Sequence, residues 1–485
     1  MLRNPDEVYR LLVDSNPWWS SGKVPSELAH SYRRRDFYVI RGEKNTKPIV
    51  ALGGPRQVGK STVLFQLIED LLTDGVNPSQ ILFVNLDLPG LGAVSTSPIN
   101  DCLNVYQDRI LGTSFRDAKP KVFVFLDEVT KIEGWHRDLK GWFDFRYPLK
   151  FFVSSSSNSE LRDGASKSLA GRISTHLLMT WKFVDVLMYL TKDDSWNDVG
   201  LRLREAFESA MSTSDPRILE RKIRQLEAMS TRKRSSLKSI ADRYLLIDGF
   251  PELLTTGNVE SCAPRLREYL SLTLSNDLYR FFQIRATRIF EDLLGLLARE
   301  SGQLVSYRNL AELLHTEERT IVEYLEYLEG VFLASQAQYF SESRAKRIRR
   351  QRKAYVPNPG IRNAILGRIN RRTLGDTDLL GPLVEGVVHD HTKRLVYCLN
   401  PGPTPEAFYW RDRQNREVDV VVRIGGKPLP IEVKYRNDPK RGLEGMESFL
   451  RSNAEAPFGL VVTRDHFELR DRVLFIPLFQ YMLMV

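Results

Sequence analysis

The sequence predicts an α/β protein: a parallel sheet carrying a phosphate-binding loop, then a helical region, then a small α/β domain. Three stretches predict it. An apolar run, Ile49-Val50-Ala51-Leu52, leads through a glycine-bounded loop into the amphipathic Val63–Ile68. A second apolar run, Lys121 to Glu128, ends in two carboxylates. Near the other end, two runs of β-type residues flank Gly425-Gly426. Continuous apolar strands read as buried parallel strands, and alternation around Gly-Gly reads as a hairpin.

The loop is Gly54-Pro55-Arg56-Gln57-Val58-Gly59-Lys60-Ser61-Thr62, which fits G-x-x-x-x-G-K-[ST]. In that pattern backbone N–H groups wrap a nucleotide's phosphates at a helix N-terminus, so all nine residues are assigned to nucleotide binding. Lys60 would reach the β- and γ-phosphates, and Ser61 would give a hydroxyl to Mg2+. The cofactors expected are therefore ATP and Mg2+.

Ile81 to Asp87 is the next strand. In the strand that follows, Val122 to Leu126, the acids Asp127 and Glu128 stand at the C-terminal end, where open α/β sheets bind ligands. Asp127 would hold Mg2+ through water, and Glu128 would orient and deprotonate the attacking water, which hydrolysis requires. Leu149 to Val153 forms a further strand running into Ser154-Ser155-Ser156-Ser157-Asn158. Ser156 and Asn158 are both candidates to read the γ-phosphate. Arg172, in Leu169-Ala170-Gly171-Arg172, is a candidate to stabilise transferred charge, in its own subunit or a neighbour's.

These motifs, with Leu126-Asp127-Glu128-Val129, Lys131 and Trp135, resemble those of the archaeal and bacterial predicted ATPases of the AAA+ superfamily. The resemblance implies a P-loop ATPase with a C-terminal half of unknown function, and rings or other homo-oligomers as assemblies. Ile247-Asp248-Gly249-Phe250-Pro251-Glu252 resembles the segment that opens that C-terminal half, with Asp248 in place of a glycine.

From Trp181 to about Lys238 the apolar spacing is helical (Phe183, Val186, Leu187; Leu203, Phe207; Leu219, Ile223). Leu304 to Ala334 reads as a winged helix-turn-helix: Tyr307–Leu314, a turn at His315 to Glu318, and Arg319–Leu328. Its second helix carries Glu323, Glu326 and Glu329, which phosphate would repel, so domain packing suits it better than groove reading. Seven cations then fall within ten residues: Arg344, Lys346, Arg347, Arg349, Arg350, Arg352 and Lys353. With a net charge of +9, they point to nucleic acid, DNA first.

In the last stretch, Gly381 to His389 is a helix bearing Glu385. Arg416–Ile424 and Leu429–Lys434 form the hairpin. Asp419, Glu432 and Lys434 make D…E-x-K, similar to the PD-(D/E)XK nuclease core, with Glu385 as the acid such folds add from a helix. That resemblance implies a second Mg2+ site.

The three cysteines, Cys102, Cys262 and Cys398, are too far apart for a C-x-x-C pair and suit a reducing, cytoplasmic setting. The polar start from Met1 lacks a signal peptide's apolar core, and no stretch is long enough to span a membrane. The expected organisation is a lead-in (1–45), the ATPase core (46–182), a helical lid or linker (183–241), a helical and winged-helix domain (242–356) and a nuclease-like domain (357–485). The expected function is a Mg2+-dependent ATPase coupling hydrolysis to action on nucleic acid. The alternatives are an ATP-driven switch on a protein partner with an inert nuclease-like domain, or an ATP-gated nuclease.

Overall fold

The computed structural model describes the chain except residues 1–4, 120, 228–230, 280–283, 285, 401–405 and 437. The first four residues of the expected lead-in thus lie outside the described residues. Two compact units are present, Met1–Met179 and Thr180–Val485.

The first unit is built on five parallel strands, β1 (Ile49–Gly53), β2 (Ile81–Asn85), β3 (Val122–Asp127), β4 (Leu149–Ser155) and β5 (Ile173–Leu177), in the order β2-β3-β4-β1-β5. Every residue of β1 and β3 is buried, as continuous apolar runs covered on both faces require. Phe125 of β3 stacks on Phe152 of β4, ring centroids 4.9 Å apart. The helix Lys60–Thr73 starts directly after the glycine loop and buries Val63, Leu64, Leu67, Ile68 and Leu71. Because all five strands run the same way, the C-terminal ends of β1, β3 and β4 meet at one edge of the sheet.

The strand β2 is the sheet edge, and the lead-in covers it. Asn16 is fully buried; its amide donates to Phe83 O at 2.8 Å and its carbonyl accepts from Phe83 N at 2.7 Å. Trp18 and Trp19 both donate their indole N–H to Ile81 O, at 3.1 and 2.8 Å. An asparagine side chain therefore pairs an edge that would otherwise expose a donor and an acceptor. The neighbouring basic run is also structural: Arg33 ion-pairs with Glu69 at 2.8 Å.

The second unit opens with helices Phe183–Thr191, Ser195–Thr213, Pro216–Glu227 and Thr231–Ile247, the helical stretch expected from the apolar spacing. Among the described residues its sheet has nine strands: β6 (Leu304–Val305), β7 (Ser335–Tyr339), β8 (Arg352–Tyr355), β9 (Phe408–Arg411), β10 (Glu417–Ile424), β11 (Lys427–Lys434), β12 (Gly459–Thr463), β13 (Glu468–Arg470) and β14 (Val473–Pro477). Their order is β13-β14-β12-β11-β10-β9-β7-β8-β6. Helices Tyr307–Leu313 and Glu318–Gly330 lie between β6 and β7 in the chain. The turn between β10 and β11 has Gly425 and Gly426 at φ 57° and 82°, both left-handed as a two-residue hairpin demands.

Two features differ from the sequence reading. The helix around Glu385 runs from Thr377 to Leu399, its N-terminus capped by the Asp376 carboxylate accepting from Asp378 N and Leu379 N. More important, residues expected in separate regions share one sheet. The strand β7 pairs antiparallel with β8 at Ser335–Ala337 and then parallel with β9 at Gln338–Tyr339. Five-residue strands with few long apolar runs leave that lateral pairing unspecified in the sequence. Among the described residues no helix is long and apolar enough to cross a membrane.

Asn16→Ala is expected to lower the stability of the first unit by about 1–3 kcal/mol, the cost of leaving a buried donor and acceptor unpaired. Denaturant unfolding measures it; an unchanged midpoint would show that the edge of β2 needs no such pairing.

Candidate functional site

The glycine loop is shaped by two constraints. A Cβ on Gly54 would sit 1.9 Å from the carbonyl oxygen of Leu178, so only glycine fits that approach. Gly59, immediately before the helix, has φ +92°, open to glycine at little cost. The guanidinium of Arg34 is buried and donates to Val58 O at 3.3 Å and Met179 O at 2.8 Å, bracing the loop from behind. Lys60 is also buried; its ammonium donates to Gly54 O and Pro55 O, each at 3.0 Å, and lies 3.7 Å from Glu128 Oε1.

Asp127 is the hub. Its Oδ2 accepts from Ser61 Oγ at 2.7 Å, and its Oδ1 accepts from Ser154 Oγ on the neighbouring strand. Burial raises its pKa, and the adjacent Glu128 charge raises it further, against the hydrogen bonds from Ser154 and Ser61. Glu128 follows in a left-handed conformation, φ 54°. Its backbone N–H donates to Ser154 Oγ at 3.0 Å, and its Oε2 accepts from Ser156 N at 3.0 Å and Ser156 Oγ at 2.9 Å. Asn158 begins the helix after β4, and its Oδ1 is buried with no hydrogen-bond partner. Lys60, Ser61, Asp127, Glu128 and Ser156 therefore share one cluster.

Arg172 does not join it. Its carbonyl accepts from Ile49 N, at the start of β1, and its side chain ion-pairs with Asp144 at 2.9 Å. The loop begins at the other end of β1, and five residues at about 3.3 Å each put roughly 16 Å of strand between them. The expectation that Arg172 reaches a γ-phosphate in its own subunit is thus corrected by the strand direction.

The second unit brings together Glu385, Asp419, Glu432 and Lys434. Asp419 Oδ2 accepts from Val433 N at 2.8 Å, and Lys434 ion-pairs with Glu432 at 2.5 Å. The centre is a residue assigned elsewhere. Lys353, read from the sequence as a nucleic-acid contact, is buried; its ammonium lies 2.9 Å from Glu385, 2.6 Å from Glu417 and 3.8 Å from Asp419. Burial alone would lower its pKa, but Tyr355, Glu385, Asp419 and Glu417 outweigh it and raise the value well above a free lysine's. Tyr355 donates its hydroxyl to Glu385 at 3.0 Å. Burial raises Glu385 to about 7, with Lys353 opposing; burial and then Asp419 raise Glu432 to about 8. Among the described residues no three of His, Cys, Asp and Glu are disposed to hold a metal ion.

Of the seven expected nucleic-acid cations, Arg344, Lys346, Arg349 and Arg350 are exposed. Arg347 lies over the ring of Phe408 and Arg352 sits on β8. Lys353 is removed from that set because its side chain points into the ion-paired cluster.

Residues 46–187 match the AAA domain family. That stretch is similar to an AAA domain. Residues 238–372 and 380–481 match two families described as domains of unknown function. An uncharacterized protein of Mycobacterium tuberculosis is 26% identical over 453 residues, covering 92% of this chain and 83% of its own length. Another, from Methanocaldococcus jannaschii, is 23% identical over 461 residues, covering 93% and 87%. Among solved structures, C. elegans PCH-2 overlaps 42% of this chain and 50% of its own at 14% identity and a TM-score of 0.23. The S. cerevisiae Hsp104:casein complex overlaps 67% and 53% at 13% identity and 0.29. At those TM-scores the likeness carries no argument.

Two residues of these sites were not singled out from the sequence, and a third, Lys353, was assigned elsewhere. Ser154 is two positions before Ser156 on a strand, so period two alone would have placed it beside Asp127. Glu417 shares a face with Asp419 by the same rule. Lys353 had no such signal, because it lies in a run of cations and its strand partner was unknown.

Gly54→Ala is expected to abolish nucleotide binding, because the added methyl meets a backbone carbonyl and no flexible side chain. Titration with a fluorescent ATP analogue tests this, and wild-type affinity would refute it.

Proposed function

We propose that the chain is a Mg2+-dependent ATPase whose turnover acts on nucleic acid, DNA first. The observation that carries the ATPase reading is the hydrogen bond from Ser61 to Asp127 at 2.7 Å, directly beneath the glycine loop. A hydroxyl and a carboxylate are hard oxygen donors, the set Mg2+ takes, so these two residues fit the ion. When bound, Mg2+ would offset charge on the β- and γ-phosphates. Lys60 would exchange its two loop carbonyls for phosphate oxygens. Glu128 would accept the proton of the attacking water through Oε1, while its Oε2 keeps the hydrogen bond from Ser156 N. Ser156 through its hydroxyl and Asn158 through its amide N–H are the groups that would meet the γ-phosphate.

The nucleic-acid part rests on the loop between β7 and β8. It exposes Arg344, Lys346, Arg349 and Arg350 on and beside a short helix, together with Ile348, 73% exposed. The elements from Thr287–Arg299 through β8 run helix, strand, helix, helix, strand, short helix, strand; we read them as a winged helix whose wing is the segment between the last two strands. A second reading, a switch on a protein partner, is favoured by the acidic helix Glu318–Gly330, where Arg319 is paired with Glu323 and Glu326 is exposed. Assembly into a homo-oligomer is part of the same proposal.

The test is ATPase rate with and without single-stranded, double-stranded and branched DNA. Lys60→Ala should abolish turnover, and Glu128→Gln should keep ATP binding while slowing hydrolysis by about 10²–10⁴-fold. Turnover surviving Lys60→Ala would place the activity elsewhere. Replacing Arg344, Lys346, Arg349 and Arg350 by Ala should flatten the salt dependence of DNA binding by about 3–4 in log–log slope. A rate indifferent to every DNA and RNA tried would favour the protein-partner reading.

A further inference from the structure

The pattern of Asp419, Glu432 and Lys434 on paired strands, with Glu385 from a helix, implies a divalent metal among these acids. The residues present do not fit one. Ammonium and backbone groups already occupy these carboxylates: Glu385 and Glu417 share Lys353 at 2.9 and 2.6 Å, Glu432 pairs with Lys434 through Oε1 while its Oε2 is buried without a partner among the described residues, and Asp419 accepts from Val433 N at 2.8 Å with Lys353 3.8 Å away. Mg2+ requires near-octahedral oxygens at about 2.0–2.1 Å. Those oxygens face a lysine whose side chain is 3% exposed, so a dication would stand against a buried like charge.

The backbone of Lys353 is held on both sides. It lies on β8, paired with Leu304 of β6 on one side and Ala337 of β7 on the other, so ladders on both flanks fix its backbone. The approach of Glu385 is fixed as well. Gly302 has φ +86°, its N–H donates to Ala354 O at 2.8 Å, and a Cβ there would meet the Glu385 carboxylate at 2.9 Å. Tyr355, two residues along the same face of β8, donates to Glu385 and stacks on His389 with centroids 4.2 Å apart. Helix Thr377–Leu399 is thus held to β8 through Glu385 and His389, and β10 is held to it through Glu417 and Asp419.

We infer that Lys353 is the resident cation of this acid cluster: the second unit holds no divalent metal there and cleaves no phosphodiester. Its ion pairs instead fasten β8, and the basic loop that leads into it, to helix Thr377–Leu399 and β10. Glu385 and Glu417 compensate the charge of a buried lysine. Removing one partner of such a group leaves an uncompensated buried charge, which is strongly destabilising. The loop bearing Arg344 to Arg350 is consequently mounted on a fixed strand.

Mn2+ binding followed by electron paramagnetic resonance on the full chain carrying Asp127→Ala, which removes the acid at the ATPase site, tests the first part. No stoichiometric site is expected, and no cleavage of DNA or RNA in Mg2+ or Mn2+. A Mn2+ site lost on Asp419→Asn, or cleavage lost on Asp419→Asn or Lys434→Ala, would overturn the inference. For the second part, Lys353→Met should lower the melting temperature, and Lys353→Met with Glu385→Gln should recover part of that loss. Purely additive losses would show that the two residues do not depend on each other. If Lys353→Met does not fold, the metal and cleavage measurements on the Asp127→Ala chain still decide.

Discussion

The carboxylate of Asp127, held between two serine hydroxyls, ties the first unit together. Ser61 reaches it from the helix after β1, and Ser154 reaches it from β4. Those contacts exist only because β3 lies beside β4 and β4 beside β1, all parallel. Reversing the direction of β3 would send the glycine loop and the acidic strand end to opposite edges, and another strand order would move them apart laterally. The same parallel arrangement carries Arg172 to the opposite edge of the sheet, which is why a short motif shortly before β5 does not join the site. Strand direction, a property of the whole sheet, decides which charged groups meet.

Each unit contains a buried charge system, and the two differ in chemistry. At the glycine loop, Lys60 leans on carbonyl oxygens and lies 3.7 Å from Glu128. Carbonyls are modest partners, and in the proposed ATPase reading this ammonium would trade them for phosphate. In the second unit, Lys353 has full carboxylate partners at 2.6 and 2.9 Å. A buried charge so paired is costly to separate. The first lysine leans on carbonyls and the second is held by carboxylates, although both are buried lysines beside acids.

The lead-in shows how the molecule protects a parallel sheet. An edge strand exposes unpaired N–H and C=O groups that invite association. Here Asn16 imitates a strand neighbour, supplying one donor and one acceptor to Phe83, while two indoles share the carbonyl of Ile81. Aromatic and basic residues side by side in a sequence can suggest nucleic acid. In this stretch Trp18, Trp19, Arg33 and Arg34 are instead engaged by the core.

The sequence alone determined the local pieces. Spacing placed the loop 54–62, the acids at the end of β3, the hairpin around Gly425-Gly426 and the helical stretch after Phe183, because each is written within a dozen residues by periodicity or by glycine. It also identified Glu385, Asp419, Glu432 and Lys434 as a group through resemblance. Tertiary structure decided which pieces are neighbours. The β7–β9 pairing merged two expected regions into one sheet, the direction of β5 removed Arg172 from the loop, and β8 carried Lys353 into the acids. None of these is a local property. Each depends on pairing between strands distant in sequence, and a one-residue change of register would turn every one of those side chains to the other face.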